Sequence, residues 1–240
     1  MALAIGTATA CGGTPWHEDF EDTLPSWREA GGDISGSMDR HQRVVDHAYA
    51  GQRCEWFRVI GQGGTNFYVS HNVGRPKVIP ELQGSVWVKS DRAGIQVFAR
   101  VVLPRTQDPR SGTPVLLRLE GTSYTQVGHW QQLRIENLHQ LLARRIRGLR
   151  LQMGPQVDGR EAYVDQILLN VYGGPGTTNV WVDELSLAGY VDTTSPGPSS
   201  AAVPLNSLPD VNRSAGQPVA DRSADSTGAS NRGATRSAWT

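Results

Sequence analysis

From Arg53 to Tyr190, apolar residues recur at every second position in short runs, and each run ends at a cluster of Gly, Pro, Asn or Asp. A period of two marks strands with one buried face. The pattern predicts strands at Arg53–Ile60, Asn66–Asn72, Ser85–Lys89, Gly94–Leu103, Pro114–Glu120, His129–Ile135, Ile146–Met153, Ala162–Tyr172 and Val180–Tyr190. Ahead of them, Trp16–Trp27 (WHEDFEDTLPSW) predicts a first strand centred on Phe20, and Gly31–Gln42 predicts a loop. Helical spacing is confined to Asn137–Arg144 (NLHQLLAR), with Leu138, Leu141 and Leu142 on one face and Asn137 as N-cap. Many short strands about ten residues apart imply an all-β, two-sheet antiparallel β-sandwich of jelly-roll type with one short helix.

The run from Ala162 to Tyr190 predicts two strands joined by GGPGTTN as a long hairpin. In its second strand Trp181, Asp183, Leu185 and Leu187 share one parity. If Leu185 and Leu187 face the core, so does Asp183. A buried carboxylate needs a partner: an arginine, a set of backbone N–H groups or a metal ion.

Alternation also assigns faces. Ile95, Val97, Ala99, Val101 and Leu103 oppose Gln96, Phe98 and Arg100; Val86 and Val88 oppose Trp87 and Lys89; Leu133 and Ile135 oppose Trp130, Gln132 and Arg134. The inner faces are aliphatic, and the outer faces mix aromatic rings with Arg and Gln. Such a surface suits ligand binding, which makes Trp87, Phe98, Arg100, Trp130, Gln132 and Arg134 the candidate binding residues. The alternative is that loops or the helix cover these rings.

The 240 residues carry 23 Lys+Arg against 23 Asp+Glu. A net charge of +0 gives no expectation of nucleic acid or an anionic membrane as partner. No apolar run approaches the ~20 residues that span a bilayer. Residues 1–15 read as a lead segment, since Ala8-Thr9-Ala10 fits an export cleavage site although no positive n-region precedes it. Cys11 after Ala10 raises a lipoprotein reading, but the usual Leu is missing. Residues 16–191 make one domain. Residues 192–240, rich in Ser, Pro, Gly and Ala, read as a disordered tail or linker to a further domain. The sequon at Asn212 reads as a chance match. Extracytoplasmic location, secreted or at the cell envelope, is therefore expected.

No complete catalytic motif is present. GQGGTN at Gly61–Asn66 lacks the third glycine of a dinucleotide loop, and neither the six histidines nor the two cysteines show metal-ligand spacing. The arginines at 144, 145, 147 and 150 read as a solvated basic face, with a phosphate or acidic-glycan site as the alternative. A glycoside hydrolase would need two carboxylates about 5–10 Å apart, for which Glu120, Glu136, Asp165 and Asp183 are the candidates.

Phe20-Glu21-Asp22 followed by Trp27, the middle segment SVWVKS and the closing strand VWVDELSLAG resemble the jelly-roll, galactose-binding-like carbohydrate-binding modules of bacterial secreted and envelope proteins. The resemblance covers Trp16 to Val191. It implies a noncatalytic module that binds a polysaccharide or other glycan. It also implies a structural calcium where the first and last strands meet, held by Glu21 and Asp183. A structural or protein-binding β-sandwich is the first alternative, and a sandwich-fold glycoside hydrolase the second.

Overall fold

The computed structural model describes residues 15–193. The lead segment up to residue 14, including the cleavage pattern and Cys11, lies outside the described residues, as do the sequon and the tail beyond Thr193. The elements are β1 (Trp16–Glu18), β2 (Arg28–Gly32), β3 (Ser35–Val44), β4 (Cys54–Gln62), β5 (Phe67–Asn72), β6 (Gln83–Ser90), β7 (Gln96–Gln107), β8 (Pro114–Ser123), β9 (Gln131–Ile135), α1 (Leu138–Met153), β10 (Tyr163–Asn170) and β11 (Gly176–Ala188).

The strands form two antiparallel sheets. One runs β3-β4-β11-β6-β9, with β1 added on β11; the other runs β2-β5-β10-β7-β8. The inner faces carry the aliphatic positions that alternation assigned: Val86, Val88, Leu133 and Ile135 from the first sheet, and Val97, Ala99, Val101 and Leu119 from the second, all within 1% of full burial. The expected two-sheet sandwich is the observed architecture.

Several local expectations are corrected. β10 and β11 are not a hairpin. β10 pairs with β5 and β7, β11 with β4, β6 and β1, and residues 171–175 carry the chain from one sheet to the other. The segment Gly31–Gln42 is not a loop: it holds the end of β2 and most of β3, which are edge strands of opposite sheets. An edge strand with little apolar side chain to bury shows no alternation. The first strand is shorter than expected, and Phe20 lies after it with φ 60 and a fully buried ring. The expected strand Ile146–Met153 is instead the second half of α1. Leu138, Leu142 and Leu149 are buried at helical spacing, and the intervening arginines are good helix formers. Asn137 does precede α1, but in the left-handed region and without a side-chain capping bond.

Candidate functional site

The positions of the expected binding residues divide them between opposite sides of the sandwich. Trp87 on β6, with Gln132 and Arg134 on β9, lies on the outer face of the first sheet, where Trp87 is paired with Gln132 and Ser85 with Arg134. Trp130 immediately precedes β9. Phe98 and Arg100 lie on the outer face of the second sheet, because Val97, Ala99 and Val101 of the same strand point inward. There they are only 7% and 3% exposed. Phe98 packs with Tyr68 and Leu168, and Arg100 forms a bidentate pair with Asp165 at 2.9 and 2.6 Å. These two residues therefore cannot share a site with the other four.

The first sheet's outer face has more aromatic rings than alternation suggested. Trp56 on β4 and Trp181 on β11 are paired residues whose rings lie nearly parallel, 6.5 Å apart with an interplanar angle of 24°. Lys89 on β6 pairs with Trp181, and its ammonium lies 5.7 Å from that ring. His47 meets the same indole edge-on at 5.2 Å. Further along, Tyr49 stacks on Trp87 at 3.7 Å and meets Trp130 edge-on at 5.9 Å. Tyr49 is 42% exposed, while Trp56, Trp87, Trp130 and Trp181 are half-buried. One face of Trp87 is thus covered by a loop, and the loop supplies a new exposed ring. Beside this group a shallow cleft of about 170 Å³ is lined by Ser85, Gln132, Arg134 and Ser186.

Two anchors hold the aromatic loops. Tyr124 is fully buried, and its hydroxyl lies 3.1, 2.5 and 2.8 Å from the carbonyls of Ser90, Gln126 and His129, which fixes the turn ahead of Trp130. The second anchor is Asp183. It does not face the core as parity predicted. Asp183 pairs with Trp87, so it shares the outer face with Trp181. The register then shifts between Asp183 and Ser186, and Glu184 adopts φ 49. This β-bulge swaps the parity, which puts Leu185 and Leu187 inside.

Asp183 is nevertheless fully buried, because the loop carrying Tyr49 lies over it. Its Oδ2 accepts the N–H groups of Tyr49 and Ala50, and its Oδ1 accepts that of Glu184. Of the three partners left open by the sequence, backbone N–H groups are the ones present. Burial still holds this carboxyl above the usual carboxylate range, despite the N–H groups of Ala50, Tyr49 and Glu184. Cys54 is buried close by, and its thiol is pushed up to about 12 by burial and by the Asp183 charge. Glu21 reaches the same loop, where its Oε1 accepts the N–H groups of Gln52 and Arg53. Gly51, between Ala50 and Gln52, has φ 62, and a Cβ there would sit 2.1 Å from Glu21 Oε1.

Glu21 and Asp183 thus converge on one loop, and both hold it through backbone N–H groups. Among the described residues, no group of three or more acidic, His or Cys side chains is placed to hold a metal. Calcium's remaining oxygens would have to come from backbone and water.

Sequence reasoning missed a buried polar cluster between β3, β4 and β5. Glu55 is fully buried and accepts the N–H groups of Ser26 and Trp27, the Ser26 hydroxyl and a hydrogen bond from His41. Arg43 lies 3.4 Å from Glu55 and 3.5 Å from Glu18. Burial alone would raise the Glu55 carboxyl, but these partners outweigh it and hold the group below its usual value. His71, packed among Trp16, Phe20 and Trp27, is held down to about 4 by burial.

Of the four hydrolase candidates, Asp165 is paired with Arg100 and Asp183 is closed off. Glu120 and Glu136 line a common open cleft of about 310 Å³. Both are about half exposed, and each has an arginine partner, Arg145 at 3.4 Å and Arg134 at 3.7 Å. Among the described residues, no helix is long and apolar enough to cross a membrane.

No protein-family model matches the chain, and no curated protein matches its sequence. Among solved structures, the chain is similar to a carbohydrate-binding module of the β-sandwich superfamily at 14% identity and TM-score 0.42, spanning 70% of this chain and 60% of that one. It is similar to the family 11 carbohydrate-binding module of Clostridium thermocellum, in complex with a β-1,3-1,4-mixed-linked tetrasaccharide, at 12% identity and TM-score 0.46, over 77% and 100% of the two chains. It is also similar to a xylan-binding domain of Paenibacillus barcinonensis Xyn10C at 14% identity and TM-score 0.41, over 78% and 100%.

Proposed function

We propose that this chain is a noncatalytic carbohydrate-binding module of an exported protein, and that it takes a polysaccharide along the outer face of β3-β4-β11-β6-β9. The observation that supports it is the set of partly exposed rings of Trp56, Trp181, Tyr49 and Trp130 beside a cleft lined by Ser85, Gln132, Arg134 and Ser186. Pyranose rings have C–H faces that pack on aromatic faces, while their hydroxyls need the donors and acceptors that Gln, Arg and Ser provide. The noncatalytic part rests on Glu120 and Glu136. Both are half exposed and committed to arginines, rather than set in the apolar pocket that a general acid occupies.

Calcium belongs to the same proposal. Glu21 and Asp183 would hold it under the Tyr49 loop, where it would supply the positive charge that Asp183 lacks. The expected result is a higher melting temperature in calcium than in EDTA, with the difference lost in Asp183→Asn. Equal melting temperatures in the two buffers would remove calcium from the proposal and leave the glycan face untouched.

The test of function is affinity electrophoresis of the full chain through gels containing a panel of soluble polysaccharides. Retardation by at least one polysaccharide, reduced by Trp56→Ala and by Trp130→Ala, is expected. Free migration across the panel would reject the glycan reading and favour a protein-binding module; retardation unaffected by both substitutions would reject this face as the glycan site.

A further inference from the structure

The aromatic face is not electrically neutral. Gln42, Trp56, Trp181 and Lys89 form one row across β3, β4, β11 and β6, each paired in register with the next. Arg40 and Arg58 form the adjacent pair on β3 and β4. Arg58 is neutralised by Asp39, whose carboxylate it grips through both Nε and Nη2. No ion pair among the described residues involves Lys89 or Arg40. The acids of this face are largely committed: Asp39 to Arg58, and Asp183 to the backbone of the loop above it. Asp91, two residues beyond Lys89, is bound to the backbone and side-chain N–H groups of Asn179, and Asp46 lies on the exposed loop. Lys89, a half-buried residue, thus holds its ammonium over the Trp181 ring with no ion-pair partner among the described residues, and His47 stands against the same ring.

We propose that Trp181 and Lys89 form a subsite for a uronic acid residue, so that the polysaccharide this module prefers is carboxylated. The proposal rests on the glycan reading above and names the substrate class of that site. A hexuronic acid has the C–H face that an indole packs against, and its C6 carboxylate projects from the ring edge. Lys89 lies over the Trp181 ring, so a sugar packed against this indole has its carboxylate within reach of the ammonium. A neutral glucan would stack equally well but would offer the ammonium no counter-charge, so a carboxylated sugar is favoured over it. Lys supplies a point charge on a flexible stem, which suits a carboxylate whose position shifts with ring tilt.

The experiment measures dissociation constants of the full chain for polygalacturonate, alginate, a neutral mixed-linked β-glucan and dextran sulfate, for the parent, Lys89→Gln and Lys89→Arg. The expected result is preference for one carboxylated polymer, about tenfold weaker in Lys89→Gln and largely retained in Lys89→Arg, which keeps the charge. Equal binding of the neutral glucan, unaffected by Lys89→Gln, would overturn the uronate subsite while leaving the glycan-binding reading in place. Equal binding of dextran sulfate and the uronans would also overturn it, as simple ion exchange. Binding of none would overturn both readings.

Discussion

Replacing Asp183 with Ala removes the acceptor for three backbone N–H groups, those of Tyr49 and Ala50 on the loop and of Glu184 at the bulge. A hydrogen bond to a charged acceptor contributes about 1.5–3 kcal/mol. Two effects reduce the sum. Burial already holds this carboxyl above its usual range, so its charge carries a cost that the variant no longer bears. The loop also has exposed neighbours, so the freed N–H groups of Tyr49 and Ala50 can return to water. A net loss of about 2–3 kcal/mol remains, which for a domain of this size lowers the melting temperature by about 4–10 °C. Asp183→Asn keeps an oxygen for the loop and sheds the charge, so it should cost about 1 kcal/mol.

The assay is urea unfolding of the full chain followed by tryptophan fluorescence. An Ala variant within about 0.5 kcal/mol of the parent would refute the anchoring role. An Asn variant as unstable as Ala would show that charge, not acceptor geometry, holds the loop. The pH dependence has a definite sign. With its pKa raised in the folded state, Asp183 takes up a proton there before it does in the unfolded chain, whose reference is 3.8. Its contribution to stability therefore falls as pH rises from that value through the folded pKa, and Asp183→Asn should lack this slope.

Glu55→Gln should cost about 3–5 kcal/mol by urea titration, since it leaves the Arg43 charge without its buried carboxylate partner. Because the Glu55 pKa is lowered from 4.5, its stabilisation is present above that value and lost as pH falls through the folded pKa; the stabilities of parent and variant should converge there in an acid titration. Phe98→Ala should cost about 3–5 kcal/mol while leaving polysaccharide retardation unchanged, because the ring is buried on the far side of the sandwich. Retardation lost in a folded Phe98→Ala would move the binding face to the second sheet. Leu187→Ala should cost about 2–5 kcal/mol, a test that the strand beyond the bulge faces inward.

The central strands were legible because each must bury one face, and burial writes itself into the sequence as alternation. Val86 and Val88, or Val97, Ala99 and Val101, need no other signal. The edge strands β2 and β3 were not legible, because their residues bury little. Asp183 shows a different limit. Its parity was read from uninterrupted alternation, and a single residue at positive φ, Glu184, reverses it without any Gly or Pro to announce the bulge. Of the proposed binding face, Trp87, Trp130, Gln132 and Arg134 follow from period-two reasoning. Trp56 and Trp181 obey the same rule and could have been found by it. Tyr49 and His47 could not, since they come from a loop whose position depends on carboxylates distant in sequence. Phe98 and Arg100 were assigned correctly to an outer face, but alternation does not say to which sheet a strand belongs.

The stacking of Tyr49 on Trp87 has an optical consequence. Two rings 3.7 Å apart and nearly parallel exchange excitation efficiently, so tyrosine light absorbed at Tyr49 is re-emitted from tryptophan while the loop is seated. The parallel indoles of Trp56 and Trp181 should likewise couple as an exciton pair in circular dichroism. The face thus carries two intrinsic reporters, one of loop closure and one of the tryptophan pair, and a ligand can be followed on the unlabelled chain.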